Sequence, residues 1–397
     1  MRIAYICADL GVPVFGCKGC SIHVQEVVRT LGQLGVEVEL FTPRSEGARP
    51  PGLESVRVHS LPGAASSEAA VREQAALAAN ASLRTALETA GPFDWVYERY
   101  SLWSYAGMEY ARTAGVPGLL EVNAPLIEEQ VEHRTLVDRL SAEEVARRVF
   151  QDATTLIAVS AEVSAYLHRY PAARGRIHVV PNGVNTERFR PRLTPHLPRD
   201  SGNFTVGFVG SLKSWHGLSV LVEAFALLHE RHANSRLIVV GEGPERANVW
   251  SDLNERGLSG AFHLTGAISS DEIPRMLASF DAAAAPYDQR EGFYFSPLKV
   301  YEYMAAGLPV VASAVGQLTQ LIEHGDNGLL CPPGDARALA AALTMLHEDT
   351  ALRQRLAERA RRTVLSDCTW VTSVRRILEL AAACSENSFL APCRECP

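Results

Sequence analysis

The chain has 397 residues, 47% of them hydrophobic and 21% charged, with a formal net charge of -7. This is enough chain and apolar content for two domains with separate cores, and the acidic balance gives no global pull towards nucleic acid or anionic lipid, so any anion site must be local. No apolar run approaches the roughly 20 residues that cross a bilayer, and Met1–Asp9 is too short and too soon acidic for a secretory signal; the expected location is the cytoplasm, free or at a membrane surface.

Arg2–Ala8 is a short apolar run of strand length, and a loop rich in Gly and Pro, Asp9–Cys20, follows it. Ser21–Leu34 carries apolar residues at helical spacing, with Ser21 as N-cap and Gly35 as the stop. Val36–Phe41 is the next strand, so the chain opens as strand, glycine loop, helix, strand, a parallel unit suited to an anion at the helix N-terminus. Gly16 and Gly19 would let backbone approach a ligand and Lys18 would neutralise it. The loop does not match the G-x-G-x-x-G or P-loop patterns, and the same residues also read as a solvated surface loop. Strands are expected at Val56–His59, Trp95–Glu98, Gly118–Val122, Thr155–Val159 and Ile177–Val180, with helices near Ser67–Glu88 and Leu102–Ala114. A polar helical region with Glu128, Glu129, Glu132, His133 and Arg134 follows Asn123-Ala124-Pro125.

Between Arg188 and Asn203, three prolines, several arginines and no apolar period mark a linker. A second series begins with strand Phe204–Val209, helix Gly217–Arg231, strand Arg236–Val240 and a helix opened by Gly241-Glu-Gly-Pro, then strands Ala261–Leu264, Asp281–Ala285 and Val310–Ala312. Within it, Phe295–Ser313 reads as a turn, a helix opening at Pro297, Gly307 as its stop, and a buried strand. Lys299 and Glu302 are three apart and so share one side of that helix near its free N–H groups. The N–H groups with Lys299 suit a phosphate, and the Glu302 carboxylate can accept two hydroxyl hydrogen bonds, as from a ribose diol; an ordinary surface ion pair is the local alternative. Closing helices are expected at Asp335–Leu346, Ala351–Leu365 and Trp370–Ala383, and a loose tail at Ser385–Pro397. The fold class is therefore α/β: two doubly wound parallel-sheet domains, 1–190 and 200–367, on either side of a ligand cleft, with the helix at about 368–384 packing back on the first. Of eight cysteines, Cys17/Cys20 and Cys393/Cys396 have the gap of a zinc knuckle but lie at opposite ends of the chain. Cys7, Cys331 and Cys368 read as small core residues.

Four stretches in order, Pro181-Asn-Gly-Val-Asn-Thr-Glu-Arg-Phe, Gly207-Phe-Val-Gly-Ser-Leu-Lys with His216-Gly217, Val240-Gly-Glu-Gly-Pro-Glu and Glu302-Tyr-Met-Ala-Ala-Gly-Leu-Pro-Val, carry a resemblance over nearly the whole chain. With Gly19-Cys-Ser-Ile-His-Val in the first half, the sequence resembles the family 4 glycosyltransferases, retaining enzymes of two-Rossmann (GT-B) architecture that take sugars from nucleotide donors. The resemblance implies a UDP- or GDP-linked sugar as co-substrate, with no separate cofactor. It also implies Glu302 on the donor ribose, Ser296, Leu298 and Lys299 around the diphosphate with the loop of Gly16 and Gly19, and Gly266, Ala267 and Ile268 at the nucleobase. Tyr294 stands where relatives commonly carry a second Glu for the donor sugar, with Glu291 three residues earlier and out of register. Ser211 and His216 stand at the usual Arg and Lys phosphate ligands, with Lys213 as a replacement in the same loop and His216 as a hydrogen-bond donor, stronger if protonated. Asn123 falls near the usual strand-end His and would contact the transferred sugar through its amide. The acceptor, a sugar, a lipid-linked or a small molecule, is assigned to the first domain, with Tyr97, Arg99, Glu128 and His133 as candidate contacts. Lys299 and Lys213 would stabilise the leaving diphosphate. No Asp-x-Asp triplet occurs, so no metal on the donor phosphates is expected. A nucleotide-sugar epimerase and a non-catalytic nucleotide-sugar binder are the alternatives.

Overall fold

The computed structural model describes residues 1–63, 66–200, 202–289, 294 and 296–390, and for His133 and residues 385–390 the backbone alone. The chain divides into two compact units: Met1–Asn182 with Tyr294–Ser296 and the closing helix Trp370–Leu390, and Gly183–Phe293 with Pro297–Thr369.

The first unit is one parallel sheet of strands β1 (Arg2–Ile6), β2 (Glu37–Thr42), β3 (Arg57–Ser60), β4 (Trp95–Arg99), β5 (Gly118–Val122), β6 (Thr155–Ala158) and β7 (Ile177–Val179), in the order β3-β2-β1-β4-β5-β6-β7. The second holds β8 (Phe204–Val209), β9 (Ser235–Val240), β10 (Phe262–Gly266), β11 (Ala282–Ala285), β12 (Val310–Ser313) and β13 (Leu329–Cys331), in the order β10-β9-β8-β11-β12-β13. Every named strand pair is parallel. Helices on both faces bury the central strands twice over, which explains continuous apolar runs such as Ala282–Ala285 in place of alternation. In each sheet the strand order reverses once, between β1 and β4 and between β8 and β11. Ligands of such sheets bind outside the carboxyl ends of the strands at that reversal.

Several sequence expectations are corrected. Ser21 does not cap its helix: the helix runs Gly19–Gln33 from an N-cap at Lys18, and the Ser21 side chain is buried two residues inside. Gly35 does end it, at φ +82°. Pro297 is the N-cap and Leu298 the first helical residue of Leu298–Ala305. The helix expected to end near Ala383 continues to Leu390, so residues 385–390 belong to it; Cys393 and Cys396 lie outside the described residues. Strand β13 and the helices Arg139–Asp152 and Ala161–Leu167 were not anticipated. β13 has three residues between Gly328 and Pro332, too few for a period to register. The Pro- and Arg-rich stretch read as a linker is bound along the second unit. His196 N–H donates to the Arg275 carbonyl at 2.9 Å, Leu197 N–H to the Ser279 hydroxyl at 3.0 Å, and Arg361 donates to the Phe189 carbonyl at 3.3 Å. Among the described residues no helix is long and apolar enough to cross a membrane, and no group of three His, Cys, Asp or Glu side chains could hold a metal ion.

Candidate active site

In the second unit the residues of interest gather at the β8/β11 reversal. The loop after β8 is pinned to the loop after β9: Gly210 N–H donates to the Val240 carbonyl at 3.0 Å, Leu212 N–H to that of Glu242 at 2.9 Å, and Glu245 N–H to that of Leu212 at 3.0 Å. Gly217 ends the short turn Ser214–His216 at φ +60°, and a Cβ there would lie well inside van der Waals contact with the Pro286 carbonyl oxygen. Both the left-handed backbone and the lack of space require glycine. Gly217→Ala is therefore expected to cost about 3 kcal/mol or more and to lower Tm by roughly 6–12 °C; thermal denaturation with an unchanged Tm would contradict this packing.

The helix Leu298–Ala305 enters from the β11 side with no side-chain cap on its first N–H groups. Buried Tyr303 locks it to the sheet, accepting from Val209 N–H at 2.7 Å and donating to the Val209 carbonyl at 3.3 Å. That lock fixes Lys299. Its Nζ is enclosed with no hydrogen-bond partner, 4.2 Å from the centroid of Phe208 and 5.5 Å from that of Tyr287. A Cβ on residue 210 would come within 2.6 Å of this nitrogen, so glycine is what lets the β8 backbone lie against the ammonium. Burial pushes the Lys299 pKa down to about 7, and the Glu302 charge opposes this only in part. Glu302 is half-buried, one turn further along the same helix.

His216 sits in the same cluster, its ring 5.9 Å from Phe208 and 5.8 Å from Tyr287. Burial first, then Lys299 and Lys213, push its pKa down to about 3, so it is neutral. A carbonyl oxygen can only accept, so Nδ1 at 2.5 Å from the Ser211 carbonyl carries the proton. His216 was expected as a hydrogen-bond donor, stronger if protonated; its one N–H is already given to Ser211, and Nε2 is left as an acceptor. Lys213 Nζ lies 5.1 Å from the centroid of Trp215, and Ser211 is exposed. After β10, Gly266 is tied to the same set of loops by Gly241 N–H, which donates to its carbonyl at 2.9 Å; Ala267 is exposed and Ile268 half-buried. Lys213, His216, Ser211, Lys299 and Glu302 thus gather around one strand reversal, with Gly266–Ile268 at the next loop. Ser296 falls in the first unit, and its hydroxyl is enclosed without a partner among the described residues.

In the first unit, the Gly16 carbonyl and that of Val14 both accept from the Gln25 amide at 2.8 Å, which ties the glycine loop to its own helix. Gly19 is exposed at the start of that helix, which has no side-chain cap. The dominant feature is Glu121 on β5, 3% exposed and absent from the sequence candidates. Burial would raise its pKa, but nearby His23 and hydrogen bonds from Tyr97 and Asn123 outweigh that and bring it down to about 2. Its neighbour Glu98 on β4 shows the contrast: burial opposed by the Ser104 hydroxyl alone leaves that carboxyl at about 7. Tyr97, proposed as an acceptor contact, is fully buried, donates to Glu121 and stacks on Tyr5 with centroids 5.2 Å apart, so it is not exposed to an acceptor. Arg99 is half-buried at the end of β4; burial lowers its pKa, and the Asp9 and Glu121 carboxylates nearby outweigh that and keep it charged. Glu128 pairs with Arg169 at 2.5 Å on the surface, and the His133 side chain lies outside the described residues. Tyr294 donates to Glu129 at 3.0 Å, and Glu291 is outside the described residues. Cys17 is exposed and Cys20 half-buried, both free thiols.

A cavity of about 540 Å3 opens at the carboxyl ends of these strands. Asp9, Arg72, Arg134 and Ser101 give it polar walls, and Ala76 and Trp103 contribute apolar ones. The Arg134 guanidinium, facing Gly11, has no hydrogen-bond or ion-pair partner among the described residues.

Residues 18–188 match Glycosyltransferase Family 4, and residues 203–349 match Glycosyl transferases group 1. The D-inositol 3-phosphate glycosyltransferase of Corynebacterium aurimucosum is 30% identical over 390 residues, 91% of this chain and 91% of that protein. The chain is a family 4 glycosyltransferase. Among solved structures, this glycosyltransferase is similar to sucrose-phosphate synthase from Thermosynechococcus elongatus, with a TM-score of 0.77 at 22% identity over 98% of this chain and 100% of that one. It is also similar to Anabaena Alr3699/HepE in complex with UDP and glucose, with a TM-score of 0.71 at 20% identity over 96% and 100%. These likenesses establish the GT-B fold.

Proposed function

We propose that this glycosyltransferase moves a sugar from a UDP- or GDP-linked donor to a hydroxyl acceptor, with retention of anomeric configuration and without a metal on the donor phosphates. The observation that carries this reading is Lys299: an enclosed, unpartnered ammonium beside an uncapped helix N-terminus at the strand reversal. Breaking the anomeric C–O bond leaves negative charge on the diphosphate and positive character on the sugar. Fixed N–H dipoles and Lys299, with Lys213 in the adjoining loop, meet that charge without reorganising. Neutral His216 offers Nε2 as an acceptor to a sugar hydroxyl. Glu302 takes the ribose diol, and Gly266–Ile268 the base. Retention is assigned to same-face attack, the departing phosphate helping to remove the acceptor proton.

The acceptor is proposed to be a small polyhydroxylated molecule in the 540 Å3 cavity. The relative named for D-inositol 3-phosphate supports that class, and the unpaired Arg134 suits an anionic substituent. The test is a panel of sugar nucleotides with and without polyol and polyol-phosphate acceptors, read by release of nucleoside diphosphate. Acceptor-dependent release, unchanged by EDTA and giving product with the donor's anomeric configuration by NMR, is expected. Donor turnover without acceptor, or binding without turnover against every acceptor, would overturn the reading.

A further inference from the structure

Glu121 is an ionisable residue inside an otherwise apolar five-residue strand, near the middle of the first sheet. It gathers three side chains from three different elements. The Asn123 amide, just past the end of its own strand, donates to Oε1 at 2.5 Å. Tyr97 on β4 donates to Oε2. His23, from the helix that begins at the glycine loop, brings Nε2 to 3.0 Å from Oε1. The far side of the His23 ring is packed too, edge-on to Trp370 with centroids 5.2 Å apart.

The orientation of Asn123 follows from this chemistry. An ionised carboxylate offers no proton, so the end of the amide facing it must be the NH2. The Asn123 Oδ1 is then the other end, and it has no hydrogen-bond partner among the described residues. An amide free to flip would present either a donor or an acceptor. Held this way, it turns Oδ1 away from the carboxylate as an acceptor, which a sugar hydroxyl can satisfy by donating its proton.

We propose that Glu121 is a positioning residue for transfer: it holds the Asn123 amide so that Oδ1 accepts a hydrogen bond from a hydroxyl of the transferred sugar, and it ties Asn123 to His23 of the glycine-loop helix. The proposal rests on the reading above that Asn123 touches that sugar. Glu121 does not itself touch substrate, because its carboxylate is buried and both its oxygens already accept a hydrogen bond.

The two readings separate in a double-mutant cycle of Glu121→Gln and Asn123→Ala, followed by steady-state kinetics with the donor found in the panel. Each single variant is expected to lower kcat about 10- to 100-fold with the donor KM within threefold of wild type. The double variant is expected to be no slower than Asn123→Ala alone, because Glu121 acts through Asn123. Multiplying losses would overturn the positioning role while leaving Asn123 in place. Wild-type kinetics in Asn123→Ala would instead remove Asn123, and Glu121 with it. Tyr97→Phe keeps the carboxylate and removes one donor, so it carries the test if Glu121→Gln does not fold. A three- to tenfold loss in kcat, absent when Tyr97→Phe is added to Asn123→Ala, is expected, and no loss would overturn the proposal.

Discussion

Replacing Lys299 by alanine is expected to lower kcat by about 100- to 1000-fold, the scale of losing one preorganised charge-stabilising group, or about 2.7–4 kcal/mol. KM for the donor should change far less, because the ammonium matters most as the diphosphate gains charge. A distinct pH signature accompanies it. In the free enzyme Lys299 titrates near 7, well below an ordinary lysine, because it is enclosed by Phe208, Tyr287 and the Gly210 backbone. A bound diphosphate restores the charge, so at pH 8 binding should take up a proton. Calorimetry of nucleoside diphosphate in buffers of different ionisation enthalpy reads that uptake, and affinity should fall as pH rises from 7 to 9. The folding signature has the opposite sign. Between pH 7 and about 10 the unfolded chain holds the proton that the folded enzyme has released, so this group adds stability as pH rises through that window. Wild-type turnover in Lys299→Ala, or binding that takes up no proton, would detach Lys299 from the leaving group.

Glu302→Ala should act on the other half of the donor. A carboxylate holding both ribose hydroxyls contributes two charge-assisted hydrogen bonds, and their loss is expected to cost about 2–4 kcal/mol of affinity, a roughly 30- to 1000-fold rise in Kd. At saturating donor, kcat should stay within about threefold of wild type. A 2′-deoxyribose donor makes the assignment specific: wild type should discriminate against it and Glu302→Ala should not. Equal discrimination by both proteins would place the ribose elsewhere.

The sequence carried most of the architecture because parallel sheets announce themselves. Apolar runs such as Phe204–Val209 and Gly118–Val122 alternate with helical periods, and their ends matched the strands within a residue or two. The exceptions have local causes. β13 is too short to show a period, and Ser21 looks like a cap by residue type although its side chain turns into the core. Lys299 and Glu302 were legible from their spacing, whereas the electrostatic state of Lys299 was not. That state depends on Phe208, Tyr287 and Gly210, which come from two other segments. His216 was visible as a residue, but its neutrality follows from two lysine neighbours and from burial. Glu121 gave one faint sign, a charge inside Leu-Leu-Glu-Val, and the helical position of His23 gave no reason to connect the two. The walls of the cavity proposed for the acceptor were least legible, because they come from five separate stretches between Ala8 and Thr135.

The two sheets share one strand order, β7 being the addition in the first, and each has its own reversal with polar groups beyond it. On the proposed reading, the groups offered to the nucleotide end lie in residues 207–302 and the cavity offered to the acceptor in residues 8–135. Mutations that retune one therefore need not disturb the other. If the cavity holds the acceptor as proposed, descendants of such a chain can change what they glycosylate while keeping their nucleotide, and an engineer could exchange cavity residues without first rebuilding the nucleotide grip.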